Sequence, residues 1–302
     1  MPEAFAHLSP AARAALALPF EERQHYLNQD KWVRYERATT ILAELDDLIK
    51  HPKVARMPCA MIVGEANNGK THIMRKFAKA HPPIEAPEGL TVPMLLLEDL
   101  DGADERSLYN NIIETLGFPN KPNDQLPKLK YKALRLLINY RVRVLGLDEF
   151  NTVADDSKIK QRKFLNILKT ISNRRQMSIV AAGTRRAFEL MKLDNQFSSR
   201  FQPKPLPIWD MDMEWRRLLA GLEMLIPLPE PSNLSDEKFA RLLLVKSQGT
   251  IGDTWSLLKV MAIHAMKNNH KRITSDMIEQ VGWIKPSERV TSAQNETVWQ
   301  NT

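Results

Sequence analysis

Between residues 59 and 183, short apolar runs alternate with longer segments in which apolar residues return every three or four positions. The runs 59–63, 92–98, 142–147 and 178–183 predict buried strands, and the segments near 70–80, 104–116, 128–140 and 160–175 predict helices. In the last segment Phe164, Ile167, Leu168 and Ile171 fall at i, i+3, i+4 and i+7, while Lys160, Lys163 and Lys169 project elsewhere. Gly117-Phe118-Pro119 closes the helix 104–116. Alternation of this kind predicts an α/β fold, a parallel sheet with crossover helices.

The flanks lack strand-like runs. Ser9-Pro10 pairs a capping side chain with a proline suited to the first helical turn. Trp32, Tyr35, Ile41, Leu42, Leu45 and Leu48 recur at roughly helical spacing, and His51-Pro52 stops that run. Near Pro203-Lys204-Pro205-Leu206-Pro207 the character changes, and Pro227 to Pro231 break the chain again. Only helices follow: 236–247 capped by Ser235, about 253–267, and a last one capped by Thr274 or Ser275 and ending near 282. The expected organisation is a helical arm over 1–57, an α/β core over 58–228, a small helical lid over 229–285, and a disordered polar tail over 286–302.

Candidate chemistry is concentrated at strand ends. Residues 64–71 read Gly64-Glu65-Ala66-Asn67-Asn68-Gly69-Lys70-Thr71, a complete G-x-x-x-x-G-K-[ST] phosphate-binding loop. The run Ala60-Met61-Ile62-Val63 enters it as a strand, and the segment from His72 to Phe77 leaves it as a helix. In that setting the loop amides form a nest for phosphate, and the helix N-terminus adds positive potential. Lys70 would reach the β/γ-phosphates and Thr71 would ligate Mg²⁺, which implies ATP with Mg²⁺.

The second signature is Val142-Arg143-Val144-Leu145-Gly146-Leu147-Asp148-Glu149, an apolar strand ending in two carboxylates. Asp148 would hold Mg²⁺ through its water shell, the second half of such a site. Glu149, expected on the opposite side of the pleat, would orient and deprotonate an attacking water. The pair argues for hydrolysis over transfer to a small molecule. Thr184, after Ser178 to Gly183, fits either a bond to the γ-phosphate or lytic water, or a helix cap ahead of Arg185. Arg200, in Phe197-Ser198-Ser199-Arg200-Phe201, fits either a finger completing a neighbouring subunit's site or an intradomain salt bridge.

Taken together, these features resemble the AAA+ ATPases over about residues 58–285. More closely, Arg56-Met57-Pro58, Asn67-Asn68-Gly69-Lys70-Thr71, Leu147-Asp148-Glu149-Phe150 and Ala182-Gly183-Thr184 resemble the TniB family, which is similar to TnsC. The resemblance implies a bacterial cytoplasmic protein, nucleoid-associated when it oligomerises on double-stranded DNA in the ATP state. It also implies target selection and engagement of a transposase alongside a TniQ-type targeting factor. One departure concerns the lid, where many AAA+ proteins carry an arginine in a Gly-Asp-x-Arg setting. Here the stretch is Gly252-Asp253-Thr254-Trp255, so slow, switch-like hydrolysis is expected.

Charge and cysteine usage narrow the classes further. The net charge is +7, and residues 121–175 alone hold fourteen Lys/Arg against five Asp/Glu, which favours a polyanionic partner. Lys121, Lys128, Lys130 and Lys132, with Lys160, Lys163 and Lys169, mark the expected contact region. Cys59 is the only cysteine, so no intrachain disulfide forms. No apolar stretch approaches a membrane span, and the N-terminus lacks signal-peptide regions. A GTPase is set aside because Asn120-Lys121-Pro122-Asn123 lacks the guanine-reading aspartate and precedes the Asp-Glu strand. A helicase loader or replication initiator would share every nucleotide-site residue. A scaffold that holds ATP without turnover is a third reading, and Glu149 counts against it.

Overall fold

The computed structural model describes residues 5–87, 89–98, 100–121, 124–191, 199–289 and 291. Phe197, Ser198, Pro122, Asn123 and most of the 286–302 tail lie outside the described residues. Two compact units divide the chain: Arg37–Pro207, and Met1–Glu36 together with Ile208–Thr302. The division therefore falls at 36/37 and 207/208, where the hydrophobic pattern suggested 57/58 and 228/229.

The unit Arg37–Pro207 is built on a parallel sheet in the order β4-β5-β6-β1-β7. Its strands are β1 (Cys59–Gly64), β4 (Met94–Leu97), β5 (Val144–Leu147), β6 (Ser178–Gly183) and β7 (Phe201–Leu206). Every residue of β5 and β6 is buried. Strands covered on both faces read as unbroken apolar runs, which is why the sequence pattern located them. β7 escaped that pattern because it reads Phe-Gln-Pro-Lys-Pro-Leu. Among the described residues it pairs only with β1, opposite which Pro203 meets Met61 and Pro205 meets Val63. Two residues apart, both prolines turn their missing N–H groups to the open edge, where no ladder bond is lost. A two-stranded hairpin, β2 (Ile84–Ala86) with β3 (Gly89–Thr91), was also not anticipated.

The helices of this unit begin and end where capping chemistry allows. α3 (Glu36–Lys50) buries Ala38, Ile41, Leu45 and Leu48 along one stripe. Arg143 fastens the end of α3 through hydrogen bonds to the carbonyls of Ile49 and His51. α4 (Lys70–Ala80) follows the phosphate loop directly. Asp104 caps α5 (Glu105–Thr115), its carboxylate accepting from Ser107 N at 2.7 Å. Among the described residues, the unit's further helices are α6 (Leu126–Asn139), the short α7 (Asn151–Ala154), α8 (Lys158–Arg175) and α9 (Arg185–Met191). A single apolar core runs from Leu95 and Leu97 through Ile112, Leu145, Phe164 and Ile179.

Among the described residues the second unit holds helices and no strand. Its elements are α1 (Pro10–Leu16), α2 (Phe20–Asn28), α10 (Met213–Glu223), α11 (Glu237–Ser247), α12 (Ile251–Lys267) and α13 (Met277–Gln280). Ser9 caps α1 as expected, its hydroxyl accepting from Ala12 N at 3.2 Å. Asp236 and Asp276, not Ser235 and Ser275 or Thr274, stand at the N-caps of α11 and α13. The core is centred on Trp215, fully buried, whose indole N–H donates to Ala240 O at 3.0 Å. Leu27 of α2 is buried in this core with Leu218, Leu243 and Met261, so the first two helices belong to the C-terminal unit.

Candidate functional site

Strand order explains why distant sequence segments meet. β6 lies between β5 and β1, with Leu147 level with Ala181 and Val63 level with Gly183. The carboxyl ends of these three strands therefore stand in a row at spacings of about 4.8 Å. Asp148 follows the first, Thr184 the second, and the phosphate loop the third. In open parallel sheets ligands bind outside the carboxyl ends of the strands.

The loop is held by its own chemistry. Asn67 and Gly69 adopt left-handed conformations, φ +57° and +86°, which asparagine and glycine tolerate. Gly64 is required by close approach: a Cβ there would lie 2.7 Å from Leu206 O. The Asn68 side chain is buried, 2% exposed, and its amide donates to Leu206 O and Pro207 O at 2.9 Å each. That anchoring role had no signal in the sequence, where Asn68 counted only as a loop amide. Lys70 is buried, and its ammonium donates to Glu65 O at 2.8 Å. Burial pulls the Lys70 pKa below its ordinary value, against the nearby charges of Glu149, Asp148 and Glu65.

Asp148 is 2% exposed, and its N–H is tied to Leu97 O at 2.9 Å. Burial raises its pKa, while hydrogen bonds from the Thr71 hydroxyl and the Glu149 N–H pull it down. Lys70 and Asp148 are thus a buried cation and a buried carboxylate, both shifted toward neutrality. Thr71 and Asp148 offer hard oxygen donors in contact, the chemistry of Mg²⁺. Among the described residues no three His, Cys, Asp or Glu side chains gather as a metal cage. The donor set thus fits a cation whose remaining ligands are phosphate and water.

Glu149 does not reach the site by the pleat. β5 ends at Leu147, and Glu149 takes φ +48° in the turn before α7. That turn carries the exposed side chain to a cavity of 250 Å³ lined by the loop from Ala66 to His72, by Glu149 and by Asn151. Asn151 was not anticipated. Its Nδ2 donates to Glu149 Oε2 at 3.2 Å and its Oδ1 accepts from Thr184 N at 2.7 Å. No periodicity or spacing rule singles out a polar residue three positions after Asp148.

The family model for the bacterial TniB protein matches residues 23–211, across both strand-end signatures. The chain belongs to the TniB family. No curated protein matches it in sequence. Among solved structures, the Aeropyrum pernix ORC2 protein in its ADPNP-ADP complexes is similar at TM-score 0.59 and 17% identity, covering 85% of this chain and 70% of that one. The Aeropyrum pernix ORC1 protein in complex with DNA gives TM-score 0.55 and 14% identity, covering 85% and 68%. A Walker-type ATPase of Pyrococcus abyssi gives TM-score 0.56 and 12% identity, covering 92% and 80%. At these identities the likeness is one of fold, and the fold is AAA+.

The remaining expectations for this TniB-family chain are placed as follows. Thr184 gives its carbonyl to Phe188 N at 3.1 Å, opening α9, and its N–H to Asn151, beside the cavity but not in its lining. Arg200 precedes β7 beside Cys59, whose N–H donates to Arg200 O at 3.0 Å. Cys59 opens β1 and Gly64 closes it, so Arg200 sits at the far end of the sheet, about 17 Å from its own phosphate loop. Its guanidinium donates to Asn173 Oδ1, and its Nε is buried without a partner among the described residues. Burial pushes the Cys59 thiol up to about 11, leaving it unreactive. Trp255 packs half-buried against the helical core, and Asp253 accepts from Thr250 Oγ1 and pairs with Arg289 at 2.8 Å.

The basic region is less free than its count suggests. Lys128 pairs with Asp124 at 2.7 Å, Lys160 with Asp156 at 3.1 Å, and Lys132 donates to Pro119 O at 2.6 Å. Lys130 and Lys163 converge on Glu105, each at 3.5 Å. They border a groove of 270 Å³ that Arg174 and Arg175 also line, four cations against one carboxylate. Among the described residues no helix is long and apolar enough to cross a membrane.

Proposed function

We propose that this chain is an ATP-hydrolysing switch that oligomerises on double-stranded DNA and regulates transposition by engaging a transposase, with a TniQ-type factor. The observation that carries the reading is that Lys70, Thr71 and Glu149 line one cavity, with Asp148 hydrogen-bonded to Thr71, in a TniB-family chain. In this reading the loop amides and Lys70 hold the nucleotide phosphates, and Thr71 and Asp148 hold Mg²⁺. Bound Mg²⁺ supplies neutralisation of charge developing on the phosphates. Glu149 stands at the cavity mouth, where its carboxylate orients water and takes its proton. Arg200, far from its own loop, serves a neighbouring copy's site by releasing Asn173. Trp255, at the position where many AAA+ lids carry an arginine, supplies no charge to the γ-phosphate, which keeps hydrolysis slow.

The groove lined by Lys130, Lys163, Arg174 and Arg175 is the face assigned to duplex phosphates, which would displace Glu105 from its lysines. The structure of the archaeal ORC1 protein was solved with DNA, which supports this partner class for the fold. A replication-initiator role would use the same site, and dependence on a transposase separates the two. The test is fluorescence-polarisation binding of labelled duplex DNA without nucleotide, with ADP and with a non-hydrolysable ATP analogue. Salt-sensitive binding confined to the ATP-like state is expected. Absence of DNA binding in every state refutes the DNA role.

A further inference from the structure

Asn151 is committed at both ends of its amide. Nδ2 donates to Glu149 Oε2 at 3.2 Å, and Oδ1 accepts the Thr184 N–H at 2.7 Å. The seat is shaped by a bare backbone, since a Cβ on Gly183 would lie 3.2 Å from Asn151 Oδ1 and 2.9 Å from the Ala187 Cβ. Glu149 is fixed at its main chain: its carbonyl accepts from both Thr152 N and Thr152 Oγ1 at 3.1 Å. Its side chain, however, is exposed. Ordering an exposed glutamate forfeits rotamer entropy, and a hydrogen bond to the charged carboxylate returns free energy of similar size. Among the described residues, the Asn151 amide is the side-chain group that both borders the cavity and bonds this carboxylate.

We propose that Asn151 is a positioning residue, which holds the Glu149 carboxylate at the mouth of the phosphate cavity and ties it to the end of β6. The inference rests on the reading of Glu149 as the base. With Asn151 in place, the carboxylate is anchored between two strand ends: β5, from which Glu149 turns, and β6, which ends before Thr184. Displacement of either strand end moves the base relative to the phosphate loop. A misplacement of 1 Å at a reacting group lowers rate by about 100-fold, so the one amide that holds the carboxylate governs turnover.

Two substitutions separate the two hydrogen bonds. Asn151→Asp retains an acceptor for the Thr184 N–H but loses the donor to Glu149, and it sets a second carboxylate beside the first. Asn151→Ala loses both bonds. Turnover is measured with saturating ATP, affinity with a fluorescent ATP analogue, and the melting temperature on nucleotide-free protein. Both variants are expected to turn over at least about tenfold slower, with nucleotide affinity within about twofold of wild type. Asn151→Asp is expected to melt near wild type. Added to Glu149→Gln, it should slow turnover no further. Wild-type turnover in Asn151→Asp, or a fall matched by lost nucleotide affinity, overturns the proposal. Glu149→Gln at the wild-type rate overturns the reading of Glu149 as base. An inactive Glu149→Gln beside a fully active Asn151→Asp removes only the role of Asn151.

Discussion

Replacing Asn68 by alanine tests whether the phosphate loop is anchored to the end of β7 as its hydrogen bonds indicate. The side chain is 2% exposed and its Nδ2 donates to Leu206 O and Pro207 O, each at 2.9 Å. Alanine removes both donors and leaves two carbonyls short of partners in a region where Leu206 is 3% exposed. Each lost bond removes about 1 kcal/mol net, and an unsatisfied buried carbonyl adds about 1 kcal/mol or more. The expected loss is therefore about 2–4 kcal/mol, a fall of about 4–16 °C in Tm for a unit of this size. The assay is thermal unfolding of nucleotide-free protein followed by circular dichroism. Asn68→Asp is the sharper variant, since it is isosteric, loses both donors and aims a carboxylate at two carbonyl oxygens. At neutral pH it should be more destabilising than alanine. A Tm for Asn68→Ala within about 1 °C of wild type, or an aspartate milder than alanine, refutes the anchoring argument.

Glu149→Gln should bind ATP yet hydrolyse it at least about tenfold slower, measured as phosphate release; an unchanged rate removes Glu149 as base. Arg200→Ala subunits mixed with Lys70→Ala subunits should recover ATPase activity that neither has alone, and failure to complement would assign Arg200 to Asn173 only. Burial raises the Asp148 pKa, so its charge destabilises the nucleotide-free fold above the raised value. That penalty fades as pH falls into the ordinary carboxylate range, where folded and unfolded forms are both protonated. Asp148→Asn should therefore melt higher than wild type at pH 7, with the gap closing in acid; a gap independent of pH contradicts the assignment. Gly64→Ala should cost about 1–3 kcal/mol, because its Cβ meets the fixed backbone oxygen of Leu206 at 2.7 Å. Gly146→Ala should cost less, since the atom nearest its Cβ is the mobile end of Met94. The two melting temperatures in reverse order would contradict this.

Much of the site is legible in the sequence alone. The octet 64–71 carries its mechanism in residue types at fixed spacing, and Asp148-Glu149 ends an apolar run that only a buried strand explains. Lys70 and Thr71 needed no long-range information, because strand, loop and helix are consecutive. Asn151 and the side chain of Asn68 were not legible. Each acts through partners at sequence separations of 33 and 138, and an asparagine looks the same in a solvent-exposed loop as in a buried anchor. Glu149 lines the cavity, but a left-handed turn and not strand alternation carries it there.

The sequence by itself determined the period of each buried element, the identity of the phosphate loop, the carboxylate pair and the TniB resemblance. These are local properties, set by side-chain spacing and backbone preference within a few residues. Only the tertiary structure decided that Phe201–Leu206 is an edge strand despite its prolines, because what an edge forgives depends on which neighbour is missing. It likewise decided that the first two helices share a core with Trp215 rather than with the sheet, since an apolar stripe does not name its partner. The tertiary structure also divided the basic residues, pairing Lys128 and Lys160 with local acids while gathering Lys130, Lys163, Arg174 and Arg175 around one groove. Charge counts sum along a chain, but electrostatic potential depends on distances in space, and those exist only after folding.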